Sequence, residues 1–150
     1  MKIFVDADAC PVKIRELIYK TSLRLQLPVI LVANKNMYFP RQPLLSLVVV
    51  DDSFDAADKY IVAQALAGDL VISSDILLAS ALVDNEVSVI SSSGKIYDKH
   101  NVKEARATRD LMQGLREGRL VYGGPPPFGA KDLQNFANAF DRELTRLRKR

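Results

Sequence analysis

The chain has 150 residues, 48% hydrophobic and 26% charged, with a net charge of +3. This is ordinary globular composition, long enough to close one core, and it argues against disorder. No apolar run approaches the roughly 20 residues of a membrane helix, and Met1-Lys2-Ile3-Phe4-Val5 meets Asp6 too soon for a signal-peptide core, so the expectation is a single cytoplasmic domain over 1–150.

The predicted elements alternate strand and helix. A short buried strand covers 2–5, and Pro11 is placed as the first residue of a helix over 11–25, in which Ile14, Leu17, Ile18 and Leu25 share a face. A second strand at 29–32 is followed by a proline-marked loop over 34–43, then a third strand at 47–50. Next come a helix over 56–67, a strand at 70–73, a helix over 76–83, a strand at 87–90, a Ser/Gly loop and a longer helix over 102–117. Gly123-Gly124-Pro125-Pro126-Pro127 is a stiff connector, and a last helix covers 131–148. Short apolar strands alternating with helices indicate an α/β fold: a parallel, doubly wound sheet of five strands in the order 3-2-1-4-5, covered on both faces. That order makes strands 1 and 4 neighbours at the switch point, beyond whose carboxyl ends ligands bind.

Strand 1 ends Val5-Asp6-Ala7-Asp8-Ala9-Cys10-Pro11, and strand 4 ends Val71-Ile72-Ser73-Ser74-Asp75. Asp6 and Asp75 should therefore emerge side by side. Crowded carboxylates repel unless a cation, a shared proton or a basic side chain offsets them; hard oxygen ligands suit Mg²⁺ or Mn²⁺. Asp58 lies in line with Ile61, Val62 and Ala65, so it is aimed toward the sheet. It reads either as a first-turn acid favoured by the helix dipole or as a third member of the site, and the site reading is the stronger. Asp55 reads first as a helix N-cap. Asp8 reads first as an acid before a helix N-terminus, a reading weaker for Asp6, and Asp69 is set aside as belonging to the far edge of the sheet.

Cys10 reads as a packed small residue and His100 as a surface histidine. Ser91-Ser92-Ser93-Gly94 reads as a connecting loop that could offer donors to phosphate, with Ser74 as a further accessory. Arg106, Arg109 and Arg116 project to one side of the long helix, as a solvated face or as a guide for a polyanion. Residues 142–150 hold five basic residues against Glu143; a solvated tail and a phosphate-contacting surface carry equal weight.

These motifs resemble the YaiI/YqxD family of uncharacterised bacterial proteins, within the wider PIN-like group. The matching segments are Val5-Asp6-Ala7-Asp8-Ala9-Cys10-Pro11, Phe54-Asp55-Ala56-Ala57-Asp58 with Ile61-Val62, Gly68-Asp69-Leu70-Val71-Ile72, Asp75-Ile76, Arg109-Asp110, Leu115-Arg116 and Gly123-Gly124-Pro125. The chain departs from the family pattern at Leu77, where proline is usual, and at Ser91-Ser92-Ser93-Gly94, where an Asn-Pro-Arg-Gly type segment is common. The PIN-like resemblance implies a metal-dependent, ribonuclease-like site on Asp6, Asp58 and Asp75, with Asp8 and Asp55 as accessories. The leading expectation is thus a Mg²⁺- or Mn²⁺-dependent nuclease acting on RNA, with Asp6, Asp58 and Asp75 as ligands and Asp8 as a base or water holder. The alternatives are a non-catalytic RNA-binding module on the same fold, and an aspartyl-phosphate phosphotransferase suggested by Asp6-Ala7-Asp8 after a strand.

Overall fold

A computed structural model of the chain describes residues 1–118 and 128–149, the side chain of Arg116 excepted. The strands are β1 (Ile3–Asp6), β2 (Val29–Ala33), β3 (Leu45–Val49), β4 (Leu70–Ile72), β5 (Ser88–Ile90) and β6 (Ile96–Tyr97). The helices are α1 (Val12–Leu25), α2 (Ala56–Gln64), α3 (Ile76–Val83), α4 (Asn101–Glu117) and α5 (Ala130–Arg148). One sheet runs β3-β2-β1-β4-β5-β6. Its first five strands are parallel in the expected order, with Val5 paired to Leu31 on one side and Ile72 on the other.

The sixth strand corrects the expected count of five. Two residues, Ile96 and Tyr97, pair antiparallel with β5, too short a segment to show any period in sequence. The Ser/Gly loop is the turn of this hairpin rather than a plain connector. Gly94 has φ +89, and a Cβ there would stand 2.5 Å from the backbone carbonyl of Asn135 in α5. Other boundaries move a little: β3 starts at Leu45 and α2 stops at Gln64. Pro11 is the N-cap of α1, not its first residue, because a short 3-10 turn at Ala7–Ala9 precedes it. The connector at 123–127 lies outside the described residues.

Alternation along each strand divides the core into two layers. Ile3 and Val5 face α1 and α5; Phe4 and Val71 face α2, α3 and α4. In the first layer Phe136 and Phe140 of α5 stack at 5.2 Å and are essentially inaccessible, each contributing about 2–3 kcal/mol by burial. In the second, Leu78, Ala79 and Leu82 of α3 meet Ile61 of α2 and Val102 of α4. The basic end of α5 is anchored, not loose: Leu144 and Leu147 are buried, and Arg146 pairs with buried Glu143. Among the described residues no helix is long and apolar enough to cross a membrane.

Candidate metal centre

Acidic side chains reach one end of the sheet from separate elements. Asp6, the last residue of β1, shares the strand face of Phe4 and so lies on the α2/α3 side. Beside it, just past the end of β4, buried Ser73 donates from Oγ to Asp6 Oδ2 at 3.1 Å. The same Oγ accepts the backbone N–H of Asp75 at 3.1 Å. Asp75 is the N-cap of α3, its Oδ1 accepting from the amides of Leu77 at 2.9 Å and Leu78 at 3.2 Å. One serine thus ties Asp6 to the start of α3.

Asp58 comes from the first turn of α2, three residues before fully buried Ile61, so its carboxyl is carried inward and hydrogen-bonds to that of Asp75. Val62, expected on the same inner stripe, is 38% exposed; one residue on is a 100° turn of the helix, enough to carry it off the face that Ile61 buries.

Removal from water, then the charges of Asp75, Asp6 and Asp55, push the Asp58 carboxyl up to about 7. Asp6 is raised too: burial dominates, the Ser73 hydrogen bond opposes it, and Asp75 and Asp8 add to it. Among the described residues no Lys or Arg lies within ion-pair distance of Asp6, Asp8, Asp58 or Asp75. A proton held between Asp58 and Asp75 therefore offsets part of the repulsion.

The donors are hard oxygens, the chemistry that Mg²⁺ or Mn²⁺ selects. As placed, however, no three His, Cys, Asp or Glu side chains among the described residues form a ready set of ligands. The two observations are compatible, because repulsion is felt over several ångströms whereas Mg²⁺–oxygen bonds are about 2.1 Å.

The remaining candidates divide. Asp8 accepts the Asn34 amide at 2.7 Å from Oδ2, tying the 3-10 turn to the end of β2, and lines a cavity of about 210 Å³ with Asp55, Asp58, Asp75 and Phe54. Asp55 occupies the N-cap position of α2 but makes no capping bond. Its backbone is left-handed, φ 66, and its carboxylate pairs with Lys59 at 3.5 Å, so the capping role expected of it is corrected. Ser74 Oγ meets Ser92 Oγ at 2.9 Å and accepts the Ser92 amide at 3.1 Å, linking β4 to the hairpin turn at this edge.

The arginines depend on how α4 lies against α3. Lys99 and His100, just before α4, share a cavity with Val83 at the end of α3 and Glu86 beyond it, and Val102 and Ala105 pack in the same layer as α3, so the two run antiparallel. At 1.5 Å per residue the 8 residues of α3 span about 12 Å and the 17 of α4 about 26 Å. The second half of α4 thus rises past the carboxylate edge. Arg109 continues the inner stripe of Val102 and Ala105 and is half-buried, pairing with Asp110 at 3.2 Å; Arg106 is exposed. The side chain of Arg116 lies outside the described residues.

His100 is exposed and lines the cavity at the opposite end of the sheet. Cys10 is packed against the α1/α5 layer, and burial pushes its thiol up to about 12, which makes it a poor nucleophile. Asp69 is buried and structural, accepting from the amides of Lys2 at 2.9 Å and Leu66 at 2.8 Å.

Two residues of the site escaped the sequence reading. Ser73 is the first polar residue after β4, and the pairing of Val5 with Ile72 puts it opposite Asp6. Phe54 is 94% exposed at the rim; its signal is a lone aromatic flanked by Asp51, Asp52, Ser53 and Asp55.

Comparison with other proteins agrees over nearly the whole length. The chain is 50% identical over 147 residues to a UPF0178 protein of Trichlorobacter lovleyi, covering 98% of this chain and 96% of that one. It is 48% identical to a UPF0178 protein of Geobacter metallireducens, at 98% and 95% coverage, and 47% identical to one of Desulfotalea psychrophila, at 99% and 100%. No solved structure matches. The family model described as "Uncharacterized BCR, YaiI/YqxD family" matches residues 4–146, and the chain belongs to that family.

Proposed function

We propose that this protein is a divalent-metal-dependent phosphodiesterase acting on RNA, built on a PIN-like plan. The observation that carries the reading is the meeting of Asp6, Asp58 and Asp75, from β1, α2 and α3, with no basic residue in ion-pair distance among the described ones. Carboxylates with a purely structural role are ordinarily offset by a basic neighbour. Mg²⁺ or Mn²⁺ held there would polarise a phosphate and lower the pKa of a bound water.

The chain's own groups have distinct tasks in this reading. Ser73 holds Asp6 in place through Oδ2, and α3 holds Asp75 through Oδ1. Asp58, whose carboxyl is pushed up to about 7, would serve as a ligand in its deprotonated form. Asp8, tethered through one oxygen to Asn34, keeps the other for a water at the cavity wall. Ser74, bonded to Ser92 at this edge, stands on the hairpin side.

Purified protein is expected to cleave a single-stranded oligoribonucleotide in Mn²⁺, and Asp6→Asn to abolish it. Mn²⁺ should also raise the unfolding midpoint of the wild type, not of Asp6→Asn. Cleavage retained in Asp6→Asn, or an equal midpoint shift in both proteins, rejects the reading. The alternative, a non-catalytic RNA-binding module, draws on the tethering of Asp8 and Asp75 to backbone amides. It predicts salt-dependent RNA binding that survives chelation.

A further inference from the structure

We propose that Phe54 is a stacking platform for an unpaired nucleobase, set beside the carboxylates so that the adjoining phosphate falls at Asp6, Asp58 and Asp75. The inference deepens the phosphodiesterase reading and rests on it. Phe4, Phe136 and Phe140 are buried, whereas Phe54 is 94% exposed. Leaving a ring in water forfeits the burial energy a phenylalanine normally supplies. Yet the ring stands on the wall of the same cavity of about 210 Å³ that Asp58 and Asp75 line.

Local hydrogen bonds shape the segment that carries it. The Ser53 amide donates to Asp51 Oδ1 at 2.9 Å, and Ala56 N–H donates to the Ser53 carbonyl at 3.3 Å. Left-handed Asp55 then turns the chain into α2.

The surroundings choose the occupant. Asp8, Asp51 and Asp55 share the wall with the ring, so this side repels a phosphate backbone and presents its only large flat surface to a base. One ring beside Val50, Ala56 and Ala57 is far smaller than the contiguous apolar patch that a protein partner would bury. A base face needs only one aromatic plane, and every base has such a face. Bases within a duplex are already stacked on their neighbours, so the platform selects single strands or ends.

The chain contains no tryptophan, so Phe54→Trp introduces a unique reporter. With Mg²⁺ present, a ten-residue single-stranded oligoribonucleotide with phosphorothioate linkages, which resist cleavage, should quench its emission on binding. The matching duplex should not. Phe54→Ala should lower affinity for the single strand roughly five- to a hundred-fold, Phe54→Tyr should retain it, and both should keep the wild-type circular dichroism. Tyr38→Trp, at a position 88% exposed on a different cavity, should not respond.

Binding that leaves the Phe54→Trp emission unchanged, unaltered affinity in Phe54→Ala, or an equal response from Tyr38→Trp overturns the proposal. Wild-type cleavage in Mn²⁺ without quenching removes the role of Phe54 and leaves the phosphodiesterase reading standing. Quenching without cleavage in either metal removes the phosphodiesterase reading and leaves the platform. Failure of the oligonucleotide to bind, together with no cleavage in either metal, rejects both.

Discussion

The shared proton at Asp58 makes stability pH-dependent in a direction opposite to that of most acids. With chelator present, the Asp58 carboxyl sits at about 7 in the folded chain against an ordinary 3.8. Between those values the folded state keeps a proton that the unfolded chain has released, so stability falls as pH rises through this window. From pH 5 up through the folded value the full linkage is roughly 2–3 kcal/mol, at about 1.36 kcal/mol per unit. Asp58 is only half-buried, and screening by water reduces the expected loss to about 1 kcal/mol. Asp6, also raised, acts in the same sense; Asp51, held low by Ser53, titrates below the window.

Urea unfolding at pH 5 and pH 8 in EDTA measures the difference. The wild type should be less stable at pH 8. Asp58→Asn keeps an N–H to donate to Asp75 at every pH, so its dependence should flatten and its pH 8 stability should exceed that of the wild type. A wild type equally or more stable at pH 8, or an undiminished slope in Asp58→Asn, would refute the coupling of these carboxylates. Mn²⁺ added at pH 8 should recover the lost stability, because the cation replaces the proton, and should do less at pH 5, where protons compete.

Other predictions concern residues whose roles are structural. Asp69→Ala strands the amides of Lys2 and Leu66 and breaks the 3.6 Å contact with the Lys2 ammonium; it should cost about 3 kcal/mol or more in urea unfolding, and a change within 0.5 kcal/mol would contradict its assigned role. Gly94→Ala combines a left-handed backbone with a 2.5 Å clash against Asn135 and should destabilise by about 2–4 kcal/mol, seen as a lowered thermal midpoint. Cys10 should react with iodoacetamide far more slowly at pH 7.5 than the same thiol in urea; equal rates would show that the thiol is not desolvated.

Much of the architecture was legible in sequence because burial imposes periods. The apolar runs of β1, β2 and β4 and the stripe of α1 are set by a sheet covered on both faces, and that pattern with right-handed crossovers and one reversal of winding leads to the order of the five parallel strands. What the period could not show is short: β6 has two residues, and the 3-10 turn before α1 has three. Val62 and Asp55 show the other limit. A stripe defined by spacing tolerates a neighbour that turns outward, and an acid at a helix start can satisfy a lysine at i+4 instead of the backbone.

By itself the sequence determined which carboxylates stand at strand ends and helix starts, because chain direction and alternation fix where Asp6, Asp58 and Asp75 can lie. Only the tertiary structure decided how their charges are accommodated. The bond from Ser73 to Asp6 and the proton between Asp58 and Asp75 arise from contacts across elements. Residues distant along the polymer reveal such contacts through no local pattern, since each depends on the register of β1 against β4 and on the packing of α2 against α3.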